Sequence, residues 1–191
     1  MKLRPVYITG AARTAIGRLD GALAGISATE LGRIVISAAL ERSGAGPEAV
    51  SEVIMGHVVQ AGCGSNTARQ AALLAGLPQA VPSFTVNKVC VSGMKAVTLG
   101  ATAIACGEAE IVVTGGTENM SQAPYLLTRA RSGYHLGNGV LVDSLLRDAL
   151  TDPLGEYHMA RTAEQLASDY SISREEQDRF ALASNLSLIH I

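Results

Sequence analysis

Short β-rich runs alternate with segments of helical periodicity through the first half of the sequence, and this alternation narrows the possible folds most sharply. Residues 6–8, 53–59, 84–86 and 111–114 are rich in Val, Ile, Tyr, Phe and Thr, the side chains that suit a pleated surface. Between the first two runs lies Ser27-Ala28-Thr29-Glu30. In this capping box the Ser27 hydroxyl and the Glu30 carboxylate can each satisfy the other's backbone donor. The helix it opens places Leu31, Ile34, Val35, Ala38 and Ala39 on one face and is predicted to stop near Gly44. A second helix is predicted around 67–74. A third, with Met94, Val97, Ala101, Ile104 and Ala105 on its apolar face, should end near Gly107. The resulting β-α-β-α-β-α-β order predicts an α/β layered fold, with helices covering a largely parallel sheet.

Past about residue 120 the pattern changes. Residues 121–157 hold turn signals with little periodicity and read as an extended loop or cap region. Two helical stretches follow, one carrying Ala163, Leu166, Ala167 and Tyr170, the other opened by a second capping box from Ser173 to Glu176. Residues 186–191 are apolar and stop within a helix-like pattern, which leads us to expect a truncated or foreign tail.

Composition excludes several classes of function. Hydrophobic residues make up 48% and charged residues 17%, enough for a buried core, and with only two Phe and no Trp the aliphatic residues must build it. Fifteen Lys+Arg against 17 Asp+Glu, with no basic block, argues against nucleic-acid binding. No signal peptide and no uninterrupted apolar stretch of membrane-spanning length is visible, so a soluble, cytoplasmic protein is expected. Cys63, Cys90 and Cys106 show no C-x-x-C spacing, which argues against a disulfide framework or a zinc site. Gly62-x-Gly64 falls short of a dinucleotide turn. Thr67 stands where the third glycine would be, and no acidic residue follows at the required distance.

Chemistry concentrates at Cys90, which lies between a predicted strand end and a helix start. Unpaired N–H groups and the positive end of the helix dipole favour a thiolate there, and the same amides can hold an oxyanion. Ser92 and Gly93 are small enough to let a substrate approach the backbone. On position alone a second reading stays open, that Cys90 is a small buried packing residue.

Five stretches, which follow the family's order along the chain, carry a family resemblance. Asn87-Lys88-Val89-Cys90 followed by Ser92-Gly93-Met94-Lys95-Ala96 resembles the nucleophile signature of the thiolases. Ala12-Arg13-Thr14 with Gly17 is similar to the family's N-terminal A-R-T-x-x-G, and Gln60-Ala61-Gly62 through Asn66, Ala68, Arg69 and Gln70 to its Q-A-G-x-G-x-N-x-A-R-Q. Gly115-Gly116-Thr117-Glu118-Asn119-Met120-Ser121 resembles its G-G-x-E-x-M-S. Val91 departs from a usually smaller residue, and Cys63 from a commonly polar one. Tyr157-His158-Met159 with Thr162-Ala163-Glu164 resembles the H-M-G-x-T-A-E stretch of short-chain, biosynthetic-type members, with Ala160 at the Gly position.

The resemblance implies a thiolase-like layered fold, with a nucleophile-bearing domain over 1–119, part of a loop domain over 120–191, and a C-terminal domain absent from this sequence. It implies that Cys90 accepts an acyl group and that Leu150, His158 and Met159 line the pocket for the acyl group and pantetheine arm. The implied reaction is condensation of two acetyl-CoA to acetoacetyl-CoA and the reverse thiolysis. Coenzyme A is then substrate or product, with no other cofactor and no metal. A homodimer or homotetramer is expected for the complete enzyme. The family carries its activating histidine and second cysteine in G-H-P and C-x-G-G-type motifs, and His57, His135, His158 and His190 lie in neither context. The fragment alone is therefore expected to be inactive. Arg129 and Arg131 can either meet coenzyme A phosphates or remain solvated. Alternative readings are a degradative 3-ketoacyl-CoA thiolase, a non-catalytic thiolase-like scaffold, and a condensing enzyme that uses acyl carrier protein.

Overall fold

The computed structural model describes residues 3–187; His190 and the tail from residue 188 lie outside them. The chain separates into two compact units, Met1–Leu145 and Leu146–Ile191.

The first unit is built on a three-stranded parallel sheet in the order β2-β1-β3, from β1 (Glu52–Gly56), β2 (Ser83–Val86) and β3 (Val112–Gly116). Gly56 is level with both Val86 and Gly116, so all three strands end at one edge. Helix α1 (Ala28–Ser43) precedes β1, and helices α2 (Thr67–Leu74) and α3 (Ser92–Cys106) supply the two crossovers. Gly44 and Gly107 close α1 and α3 in left-handed conformations, as predicted. The run at 6–8 does not join the sheet. The extended N-terminal segment is tied at Arg4, through Ala105 O and Glu110, and at Ala11 O by Arg42. Between these ties a groove of about 340 Å³ separates Val6, Tyr7 and Ile8 from β3.

The apolar faces expected for two helices also need correction. On α1 the buried residues include Leu31, Ile36 and Leu40, while Ile34 is exposed. The stretch Ile34-Val35-Ile36 is apolar on several sides, so periodicity alone cannot fix the inward face. On α3 the buried residues are Ser92, Ala96 and Gly100, and the larger Met94 and Val97 point outward. Close approach explains the reversal. A Cβ on Gly100 would lie 2.5 Å from Thr114 Cγ2, and one on Gly56 would lie 2.4 Å from the Ser92 carbonyl carbon. A stripe of small residues lets α3 lie almost against the backbone of β1 and β3, which turns its bulky side chains away. The segment Val89–Cys106 is long and apolar enough, by length and composition, to cross a membrane, yet its small-residue face packs on this sheet.

Residues 121–157 are more ordered than a plain loop. They contain an antiparallel pair, β4 (Tyr125–Leu126) with β5 (Val142–Asp143), in the first unit, and a π-helical turn, Leu146–Leu150, in the second. Helices α4 (Ala160–Asp169) and α5 (Arg174–Ser187) complete the second unit. The two capping boxes differ. At α5 both bonds form, Glu176 N–H to Ser173 Oγ and Ser173 N–H to Glu176 Oε2. At α1 Ser27 accepts from Glu30 N–H, but the Glu30 carboxylate turns to Arg33 at 2.8 Å. An ion pair one turn along competes with the return half of the box.

Candidate active site

Ligand sites in open parallel sheets form beyond the carboxyl ends of the strands, and Cys90 lies at that edge. The chain leaves β2 through Asn87, Lys88 and Val89, turns at Cys90, and enters α3 two residues later. Cys90 is exposed, so it is not a buried packing residue. Val89 holds a left-handed backbone at φ 51, a conformation that costs a residue with a Cβ roughly 1–2 kcal/mol. Side chains clamp it there. Asn87 Oδ1 accepts the Val89 N–H at 2.9 Å. Ser92 Oγ accepts the Lys88 N–H at 2.8 Å and donates to Val89 O at 2.6 Å.

The helix start itself is left open. Helices α1 and α2 carry side-chain caps from Ser27 and Asn66, whereas the residue before α3, Val91, makes no capping bond. The Ser92 N–H is taken by Val89 O at 3.1 Å, and the next two amides of the first turn, those of Gly93 and Met94, carry no cap close to the Cys90 thiol.

The family-like motifs around this edge act mainly as braces. Asn119 Nδ2 donates to Ile26 O at 2.6 Å and also reaches Leu23 O and Ala24 O, and Thr117 Oγ1 donates to Ala28 O at 2.6 Å. Arg69 donates to Val81 O and Gln79 O, and Gln70 to Cys63 O and Ser65 O. Together they hold the loops that frame the strand ends.

Sequence reasoning missed one pair. His57, fully buried just past β1, places Nδ1 2.9 Å from Thr67 Oγ1 and Nε2 3.0 Å from Glu118 Oε1. The ring N–H is poorly aligned for a hydrogen bond to that oxygen, so the contact is chiefly electrostatic. Glu118 also accepts the Val58 and Val59 N–H groups, and through them it joins the exits of β1 and β3. Burial alone raises the Glu118 pKa, but His57 and the two amides outweigh it and hold the carboxyl below its ordinary value. The available signal was a histidine directly after one strand and a glutamate two residues past another; nothing in the spacing paired them.

The other thiol near this edge behaves differently. Burial pushes the Cys63 pKa up, and the nearby Glu118 charge pushes the same way. Cys63 is therefore poorly suited to ionise.

In the second unit the three proposed pocket residues come together locally. Met159 N–H donates to Leu150 O at 2.9 Å, and Thr151 pairs with His158 as an antiparallel bridge. His158 is exposed, and its Nδ1 accepts the Ala160 N–H at 3.1 Å. That bond fixes the ring against its own backbone and leaves Nε2 free of it.

Residues 6–187 match the family described as thiolase, N-terminal domain. This chain belongs to the thiolase family. It is 58% identical over 179 residues to the acetyl-CoA acetyltransferase of Cupriavidus necator, covering 94% of this chain and 46% of that protein. The corresponding enzyme of Pseudomonas aeruginosa is 54% identical, over 98% of this chain and 48% of its own length. Among solved structures, the Acat5 thiolase of Ascaris suum in complex with coenzyme A aligns with a TM-score of 0.89 at 40% identity. It covers 96% of this chain and 48% of that thiolase. The Bacillus anthracis acetyl-CoA acetyltransferase aligns at 0.90 and 42% identity, covering 95% and 46%. The chain thus spans about half the length of the thiolases it matches.

Proposed function

We propose that this chain is the nucleophile-bearing half of an acetyl-CoA acetyltransferase, with Cys90 as the acyl acceptor. The observation that carries this reading is an exposed cysteine in a clamped turn, at an uncapped helix start beyond the strand ends, in a thiolase chain. Cys90 attacks the acetyl thioester, and the uncapped first-turn amides of Gly93 and Met94 stabilise the carbonyl oxygen as it becomes an oxyanion. Coenzyme A leaves as the thiol. Exchange of one thioester for another keeps the acyl group reactive. A second acetyl-CoA, deprotonated at its methyl carbon, then attacks to give acetoacetyl-CoA; thiolysis is the reverse.

That deprotonation needs a base within hydrogen-bond reach, worth about 10²–10⁴-fold. His57 is committed to Thr67 and Glu118 inside the fold. We assign the base to the half of the relatives that this chain does not span. Leu150, His158 and Met159 are proposed to line the acyl and pantetheine pocket, which favours short acetyl units over the long chains of a degradative thiolase. The remaining assignments rest on the same family likeness. They are a cytoplasmic location, acetyl-CoA and acetoacetyl-CoA as partners, a homodimer or homotetramer for the complete enzyme, and a division near residue 119.

The test is to mix the 191-residue chain with acetyl-CoA and follow free thiol release and acetoacetyl-CoA thiolysis. The expected result is a single Cys90-dependent release of coenzyme A without sustained thiolysis. Sustained turnover that disappears in Cys90→Ala would place a base within these residues and overturn the division of labour.

A further inference from the structure

Val89 is a β-branched residue held at positive φ immediately before Cys90. A chain free to choose would place glycine or asparagine there. Ser92 is 4% exposed, and its hydroxyl turns back to the strand exit. That hydroxyl is both acceptor and donor in the turn. It takes the Lys88 N–H and gives its own proton to Val89 O, so it closes a ring around the residue that must bend. Gly56 packs so tightly on the Ser92 backbone that the helix start is fixed relative to β1. Asn87 holds the Val89 N–H from the other side.

We propose that Ser92 is a positioning residue for the Cys90 thiol, acting through the left-handed backbone of Val89. The inference rests on the reading of Cys90 as the acyl acceptor. Ser92 does not touch the reacting atoms. It keeps Val89 from relaxing to an extended or right-handed conformation, either of which would swing Cys90 off the helix start. The alanine side chain at position 92 cannot accept from Lys88, and only the backbone N–H of residue 92, 3.1 Å from Val89 O, is left to hold that carbonyl; in so buried a position water is a poor replacement. Glycine at position 89 adopts positive φ without strain and should make the hydroxyl dispensable.

The experiment measures iodoacetamide labelling rates of Cys63, Cys90 and Cys106 by peptide mapping in the 191-residue chain. Ser92→Ala should slow Cys90 about five- to tenfold, the scale of one net hydrogen bond, and leave Cys63 and Cys106 unchanged. The double variant Val89→Gly/Ser92→Ala should restore the Cys90 rate to within about twofold of the Val89→Gly single variant, because the strain that the hydroxyl opposes is gone. A purely structural loss of Ser92 would not be rescued by glycine at a different position. If Ser92→Ala also accelerates Cys63 labelling, the fold has loosened. Asn87→Ala then serves instead, since it removes only the Val89 amide contact, and it should slow Cys90 severalfold with the same glycine rescue. An unchanged Cys90 rate, or slowing that persists in the double variant, overturns the positioning role while leaving the acyl-acceptor reading intact. A wild-type Cys90 that labels more slowly than Cys63 or Cys106 overturns that reading, and the inference with it.

Discussion

The two faces of the three-stranded sheet are packed by opposite means. Against α1 and α2, Val53 and Met55 interlock with Ile36, Leu40, Ala68, Ala71 and Ala72 in the main buried cluster. Against α3 the contact is made by Gly56, Ala96 and Gly100, and large side chains such as Met94, 68% exposed, face outward. One face is filled by volume and the other by proximity. The proximity serves the site, because it brings the start of α3 beside the strand ends and fixes where Cys90 stands. It also leaves α3 with an outward apolar side in a chain half the length of its relatives.

This contrast can be broken from either face. Ile36→Ala should be the most damaging substitution, lowering stability by about 2–5 kcal/mol through a buried cavity, as read from the urea midpoint. Gly56→Ala should cost about 1–3 kcal/mol or more, because the added Cβ meets backbone that cannot move aside. It should also slow Cys90 labelling, which Ile36→Ala should not do selectively.

An intermediate effect is expected at Glu118. Its folded-state pKa lies below the ordinary value of 4.5, so its contribution is fully present above that pH. The contribution is lost as pH falls through the lower folded value. Glu118→Gln should therefore lower stability by about 1–2 kcal/mol at neutral pH, allowing for its partial exposure. The difference from wild type should shrink below pH 4.5. A difference that grows on acidification would contradict the assigned sign. Smallest of all, Met94→Ala should change the stability of this chain by within about 0.5 kcal/mol, as for other exposed side chains. A loss of 2 kcal/mol or more would mean that the outer side of α3 is already covered.

Much of this architecture was legible in the sequence. Helix ends at Gly44 and Gly107 need positive φ, and glycine announces it. The bounds of α2 and the parallel crossover order followed from local chemistry and connection rules. The inward faces of α1 and α3 were not legible. Hydrophobic periodicity assumes that the larger residues point inward, and α3 packs with its smallest ones. The run at 6–8 has strand composition but pairs with no strand among the described residues, because pairing is a long-range property. For the same reason His57 and Glu118, far apart in sequence, gave no sign of their contact. At the candidate site, the motif around Cys90 was readable, whereas the left-handed Val89 was not, since valine disfavours that conformation.

The most direct test of the account is to locate the acetyl group after brief incubation of the folded 191-residue chain with acetyl-CoA, followed by acid quench and peptide mapping. The account predicts one acetyl thioester, on Cys90, that is absent from Cys90→Ala. An acetyl group on Cys63 or Cys106, or an adduct of equal yield in the Cys90→Ala variant, would contradict it.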